Sequence, residues 1–319
     1  GTPEEQREYE LARRNFLALM FCLMVGTAGL PHLLTRYYTS PTVAGARASV
    51  AWSLFFIALL YLSAPALAVL VKFEVMQNLV GSSFEALPNW MAQWARVDSS
   101  LLSIEDVNGD GIVQFGEIRL GADLIMLATP ELGGLPYVVS GLVAAGGLAA
   151  ALSTADGLLL TISNALVRDL YFRGTKRDAS PEQRVILTKF TLLTVALSAA
   201  FVAALKPSEI LTMVSASFSL AASAFVPVMV LGIFWRGTTR KGAVAGMLAG
   251  LGVAVYYLLS HVPAVRAALP GWLLADGLWF GIQPISAGVF GVPAGFVAAA
   301  VVSRITRPAP VPTGVRLEI

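Results

Sequence analysis

Apolar residues in this chain run on rather than alternate. Between charged positions lie seven apolar stretches: 15–35, 48–71, 132–155, 190–205, 210–235, 242–265 and 277–303. A helix crossing a bilayer needs about 20 such residues, and six of the seven exceed that. The 190–205 stretch is shorter, but Val185 to Leu187 extend it by a turn. The pattern predicts about seven transmembrane helices and an all-α polytopic membrane protein.

Composition agrees. Of 319 residues, 56% are hydrophobic and only 13% charged, with a mean hydropathy of +0.71; a soluble domain is nearer a quarter charged. A soluble enzyme, a disulfide scaffold and a disordered chain are excluded. The single cysteine, Cys22, lies in an apolar stretch, so neither an intramolecular disulfide nor a paired-thiolate zinc site can form. His32 and His261 are too few and too far apart for an evident metal cluster. No catalytic constellation appears, and neither an enzyme nor a nucleic-acid partner is expected. The chain opens on Gly1-Thr2-Pro3 without a signal-peptide pattern, which reads as a piece of a longer protein.

Charge sets the sides. Arg36, Arg47, Arg168, Arg173, Lys176, Arg177, Arg184, Lys189, Arg236, Arg240, Lys241, Arg304, Arg307 and Arg316 fall on one face, 14 of the 22 basic residues. The positive-inside rule makes that face cytoplasmic. The expected organisation is an extracytoplasmic segment 1–14, two spans in 15–72, an extracytoplasmic loop 73–131, five spans in 132–303 and a cytoplasmic tail 304–319. The N-terminus is then outside and the C-terminus inside a cell (inner or plasma) membrane.

Two polar interruptions carry candidate chemistry. The first is Gly26-Thr27-Ala28-Gly29-Leu30-Pro31 in span one. Proline lacks a donor and glycine loses more entropy on ordering, and lipid tolerates broken backbone only where protein or a cavity surrounds it. A packing kink and a broken helix at a substrate site both fit. Pro65, Pro227 and Pro284 read as simple kinks. The second is Asp106-Val-Asn108-Gly-Asp110-Gly111-Ile112-Val-Gln114-Phe-Gly-Glu117. This is the calcium pattern D-x-[DN]-x-[DN]-G-x5-E, with a carbonyl at Ile112 and a turn glycine at Gly111. Hard Ca²⁺ takes six to eight oxygens, and the expected role is structural bracing. A metal-free polar turn is the competing reading.

Span three is the most informative. From Pro136 it reads as one helix to about Tyr171, with Ser153, Thr154, Asp156, Thr161, Ser163 and Asn164 along it. Asp156 precedes Arg168 by 12 residues, about 18 Å of helix, so it lies deep in the hydrocarbon. An ionisable group there marks an ion path or cavity, or a buried hydrogen bond to another helix. Hydroxyls can also back-bond to the preceding turn. Small residues Gly146, Gly147, Ala149, Ala150 and Ala151 predict close approach of neighbouring helices.

LAAALSTADGLLLTISNALVRDLY (148–171), NFLALMFCLMVGTAGLPHLLTRYYT (15–39), SVAWSLFFIALLYLSAPALAVL (49–70) and FWRGTTRKGAVAGMLAG (234–250) resemble the sodium:solute symporter family, within it the cation/acetate symporter-like branch. The resemblance implies two inverted five-helix repeats, with sites at midplane helix breaks. Spans one to five would be the second repeat (core helices six to ten), followed by two peripheral helices, with the N-terminal half of the transporter missing. It further implies a Na⁺ site from the Ala150 carbonyl, Ser153 and Thr154, and a substrate-facing break at Gly26, Thr27, Ala28 and Gly29. Asp156 lies outside the family pattern and could serve a second cation or proton; the calcium loop departs from it too. The expected function is cation-coupled, most plainly Na⁺-coupled, symport of a small organic solute such as acetate or another short monocarboxylate. The alternative is a calcium-responsive membrane sensor built on a transporter-like domain. A channel has no ring of charges to support it.

Overall fold

The computed structural model describes residues 2–37, 40–99, 101–121, 124–172, 174, 180–205 and 208–306. Arg173, Lys176, Arg177, Arg307 and Arg316, part of the charge division above, lie outside the described residues, as does the tail from 307 onward. In chain order the helices are α1 (Pro3–Gly29), α2 (Pro31–Tyr37), α3 (Val43–Glu74), α4 (Asn89–Val97), α5 (Ile125–Leu132), α6 (Tyr137–Asn164), α7 (Pro181–Ala204), α8 (Ile210–Phe234), α9 (Arg240–Leu259), α10 (Pro263–Ala268) and α11 (Gly288–Ile305). Strands β1 (Leu102–Ile104) and β2 (Ile118–Leu120) pair antiparallel between α4 and α5. Among the described residues seven helical rods are long and apolar enough to cross a membrane, the number predicted. Two compact units result, Gly1–Thr39 with Lys206–Ile319, and Ser40–Leu205.

The first unit is a packed bundle of α1, α8, α9 and α11. Thr2 and Glu5 form a capping box, the Glu5 amide donating to Thr2 Oγ1 and the Thr2 amide to Glu5 Oε2, with Pro3 at the first position. Residues 3–14 are therefore helical and continuous with the first spanning helix. That helix ends at Gly29; Leu30 is extended (φ −70°, ψ 118°) and Pro31 begins α2. The interruption predicted over Gly26 to Gly29 thus falls at Leu30, because both glycines stay helical against α8. A Cβ on Gly26 would lie 2.5 Å from the Phe218 carbonyl oxygen, and one on Gly29 2.9 Å from Val226 Cγ2.

The closest packing joins α9 to α11. Gly242, Gly246 and Gly250 recur every fourth residue and face Ser303, Ala299, Gly295 and Gly291. A Cβ on Gly246 would sit 2.6 Å from that of Ala299, and one on Gly250 would collide with the Ser223 carbonyl. Small residues at this spacing let helix backbones approach where no hydrophobic effect drives them together. Pro227 stays inside α8, whereas Pro284 opens a 3-10 turn leading into α11. The last span therefore starts at Pro284 rather than 277; Phe280 (φ 54°) and Gly281 (φ 73°) break the chain before it.

The second unit contains three long rods. α3, with Pro65 inside it, runs into a π-helical segment, Val75–Leu79. α6 runs into another, Ala165–Phe172, so one rod extends from Tyr137 to Phe172 as predicted. Ser180 and Gln183 form the capping box that starts α7 at Pro181, which lengthens the short 190–205 stretch to a full span. Residues 73–131, expected as a loop, fold into a small module. Met91 on α4, Leu102 on β1, and Leu124 and Ala128 near α5 pack on Val71, Val75 and Leu79. Trp94 Nε1 donates to Glu131 Oε2 at 3.0 Å. The close approach expected at Gly146 and Gly147 is not made among the described residues. A Cβ at Gly146 would meet nothing within 4 Å, and one at Gly147 only Leu127 Cδ2 at 3.7 Å.

Candidate functional site

On α6, Ser153 and Asp156 lie three residues apart on one face, while Thr154 is turned about 100° from Ser153 and stands a turn after Ala150. Thr154 Oγ1 donates to the Ala150 carbonyl at 3.2 Å, which brings two of the three oxygens named as a cation set into contact. This is also the local back-bond open to any helical threonine. Ser153 occupies the next position up the helix, and both hydroxyl residues are exposed. Asp156 is exposed as well and has no hydrogen-bond or ion-pair partner among the described residues. The helix–helix hydrogen bond considered for it is not made there. One turn beyond, Thr161 back-bonds to Gly157 at 2.8 Å. Ser163 is fully buried with an Oγ that meets no partner among the described residues. One rod thus presents hydroxyls, carbonyls and a carboxylate in a sequence otherwise fit for lipid. Neutral oxygens and one acid can hold a hard monovalent cation and release it.

At the end of α1, Thr27 Oγ1 donates to the Leu23 carbonyl at 2.6 Å, so its hydroxyl is taken up locally. Gly26 and Gly29 contact α8, while Ala28 is exposed. At Leu30 the cap amide reaches Thr27 O only at 3.5 Å, and Pro31 offers no donor. Weakly bonded carbonyls at such a break are the groups that coordinate ions or polar solutes in membrane helices.

In the 106–117 loop the acids are bound to backbone. Asp106 accepts from the amides of Gly109 and Gly111 at 2.7 and 3.0 Å. Asp110 accepts from the Ile112 amide at 2.8 Å, and from Asn108 Nδ2 and Gln114 Nε2 at 2.9 and 3.0 Å. Glu117 is buried and accepts from the amides of Val107 and Gln114, each at 3.0 Å. Gly109 (φ 73°) and Gly111 (φ 70°) take left-handed backbone, which explains glycine at both positions. β1 and β2 clamp the loop at its base, Ile104 facing Ile118. The Ile112 amide, first among its partners, holds the Asp110 carboxyl below the usual carboxylate range. The oxygen donors suit calcium by type, yet no group of three or more His, Cys, Asp or Glu side chains among the described residues converges to hold a metal.

Two features escaped sequence reasoning. Ser215, Ser219 and Ser223 form a fully buried ladder on α8, with Ser219 Oγ donating to the Ile285 carbonyl at 2.5 Å and Ser223 Oγ to Ser219 O at 2.7 Å. Cys22 is packed beside it, reaching the Ser286 carbonyl. Asn15 clamps the stretch before α11: its Nδ2 donates to the Gly281 carbonyl and its Oδ1 accepts from the Gln283 amide at 2.7 Å. The S-x3-S-x3-S spacing was visible in an apolar helix; nothing marked Asn15.

These elements define an α-helical, multi-pass membrane protein with polar groups set into its spanning rods. Residues 127–250, which hold α6 and its oxygen cluster, match the model of the Sodium:solute symporter family, so the resemblance read from the sequence stands. The chain is 59% identical over 307 residues to an uncharacterized symporter of Cupriavidus necator, covering 96% of this chain and 44% of that protein. It is 28% identical to a monocarboxylic acid transporter of Corynebacterium glutamicum, over 92% of this chain and 47% of that protein. To an uncharacterized symporter of Bacillus subtilis it is 26% identical, over 89% and 48%. The chain spans about half the length of these relatives. No solved structure gives a significant match.

Proposed function

We propose that this chain is the second half of a cation-coupled symporter of small organic acids, with spans one to five as the second of two inverted repeats and the last two spans peripheral. The observation that carries the reading is the polar cluster of α6. A rod of 36 residues with the hydropathy of a span exposes Ser153, Thr154 and an unpartnered Asp156. Such groups are costly in lipid and are kept where they face an ion path. Its stretch matches a symporter family. Na⁺ is the favoured coupling ion: the Ala150 carbonyl, Ser153 and Thr154 supply neutral oxygens, and Asp156 serves a second cation or a proton. The break after Gly29 is the solute-facing element. Similarity to a monocarboxylic acid transporter favours acetate or another short monocarboxylate. The upstream half would cover the bare faces of α6 and α7 outside the cleft between the two helices.

The 106–117 loop is read as a structural calcium site facing the outside. Its twelve-residue oxygen pattern and its two left-handed glycines support this. On occupancy, the Asn108 and Gln114 amides would turn from Asp110 to present their oxygens.

The deciding experiment is uptake of labelled acetate, propionate and pyruvate into vesicles carrying the protein with its upstream half. An inward Na⁺ gradient should drive accumulation above equilibrium, and collapsing it should abolish that. Accumulation driven by a proton gradient alone would move the coupling role to Asp156. Absence of gradient-driven accumulation of all three acids would leave the sensor reading. For orientation, single cysteines placed in a Cys22→Ala background should label from outside at Ser99 and from inside at Ser180; the reverse pattern would invert the topology.

A further inference from the structure

One cationic feature of the second unit has no part in solute or ion transport as proposed. α6 and α7 leave between them an open groove of about 340 Å³ lined by Leu160, Asn164, Arg184, Val185, Thr188, Lys189 and Leu192. Its chemistry is graded along the helices. Arg184 and Thr188 stand in the first two turns of α7, with Lys189 beside them. Leu192 lies a further turn in, and Leu160 is a turn deeper on α6 than Asn164. Cations and hydrogen-bonding groups therefore mark the end nearer the membrane surface, and leucines the end nearer its centre.

The cations are poised. Arg184 lines the groove, and its guanidinium lies 5.4 Å over the Phe172 ring. Neither Arg184 nor Lys189 forms an ion pair among the described residues, where the one salt bridge is Arg13–Glu10. The acids closest in sequence, Asp169 and Glu182, do not line the groove. The same end of the unit carries Arg168.

We propose that this groove seats the phosphate headgroup of an anionic phospholipid, phosphatidylglycerol in type, with one acyl chain lying along Leu160 and Leu192. The site rests on the membrane-spanning reading of α6 and α7, and on this face being cytoplasmic for its leaflet. Arg184 and Lys189 supply charge to the phosphate and Asn164 supplies a donor to its oxygens, while the Thr188 hydroxyl is back-bonded to the Arg184 carbonyl at 2.8 Å. A zwitterionic headgroup would bring its own cation to the same two charges and bind less well. A free anion would gain nothing from the leucines.

The test is native mass spectrometry of the protein in neutral detergent, titrated separately with phosphatidylglycerol and phosphatidylcholine. Phosphatidylglycerol adducts should form at concentrations where phosphatidylcholine gives none. The double variant Arg184→Gln/Lys189→Gln should weaken them about 30-fold, the effect of two basic residues near an anionic surface. Arg184→Lys, which keeps the charge, should stay within a few-fold, and Arg236→Gln/Arg240→Gln should change nothing. Equal adducts with both lipids, unchanged binding in the double variant, or equal loss in the Lys and Gln variants would overturn the site. Displacement of the lipid by an equal concentration of inorganic phosphate would show a free-anion site and overturn the lipid. Because detergent binding does not depend on leaflet or coupling ion, these outcomes are distinct from failure of the symporter reading.

Discussion

The two units hold their spanning helices in opposite ways. In the first, about a third of the apolar window of α8 and of the rod 284–305 is buried, and 28% of that of α9. Glycines face glycines there, and the buried serines of α8 bond to backbone. In the second, none of the corresponding windows of α6 or α7 is buried, and only 6% of that of α3. Yet α6 carries the more polar sequence, with Asp156 exposed on it. The first unit bonds the buried serines of α8 to its own backbone. The second holds Asp156 and Ser163, whose side chains meet no partner among the described residues, and Asp156 is among the groups proposed to meet ions.

Breaking the packed unit should have the largest effect. Gly250→Leu drives a side chain into the Ser223 carbonyl, a backbone atom that cannot swing aside. Overpacking costs about 1–3 kcal/mol or more, and in a glycine-tight helix interface the folded yield in detergent should collapse. Gly146→Leu meets open space and should be silent in this chain alone. Paired with the upstream half, it should disrupt assembly if that half covers α6. Equal behaviour of Gly146→Leu with and without the upstream half would undo the contrast between the units.

The calcium loop gives an intermediate effect. Calorimetry should find Ca²⁺ binding in the roughly 10⁻⁴ to 10⁻³ M range of extracellular modules, and Glu117→Gln should weaken it about tenfold. Absence of binding at several millimolar would leave the hydrogen-bonded polar turn already visible in the structure. A smaller effect concerns pH. The Asp110 carboxyl is held low, first by the Ile112 amide. Its contribution to loop stability is therefore full above the ordinary carboxylate value of about 4 and is lost only as pH falls through the lowered folded value. Loop amide protection, taken relative to the intrinsic exchange rate at each pH, should be flat from neutral pH to about pH 5 and fall below about pH 4. Protection already lost near pH 6 would contradict the Ile112 contact.

The number of spans was legible because lipid demands long apolar runs, and the rod from Tyr137 to Phe172 because no proline interrupts it. Which small residues pack was not legible. Gly146-Gly147 on α6 and the Gly242, Gly246, Gly250 series on α9 look alike in sequence, and among the described residues the series meets a facing helix while Gly146 meets nothing. The break at the end of α1 falls at Leu30, inside the Gly26–Pro31 interruption: glycine permits irregular backbone, but α8 holds Gly26 and Gly29 helical, and the missing donor of Pro31 decides the position. The 73–131 module was hidden because its core draws on Val71, Val75 and Leu79 at the end of a spanning rod. At the candidate cation site the residue types were readable, but the Thr154–Ala150 contact and the exposure of Asp156 needed coordinates.

The most direct measurement is the Na⁺ dependence of acetate uptake by the protein with its upstream half, comparing the parent with Thr154→Ser, Thr154→Ala and Ser153→Ala. Losing one ligand oxygen costs about 1.5–3 kcal/mol, roughly a 10- to 150-fold rise in the Na⁺ concentration for half-maximal uptake. Both alanine variants should show that rise at unchanged expression, and Thr154→Ser, which keeps the oxygen, should remain close to the parent. Parent uptake indifferent to Na⁺, or alanine variants whose Na⁺ dependence matches the parent, would contradict a cation held on α6.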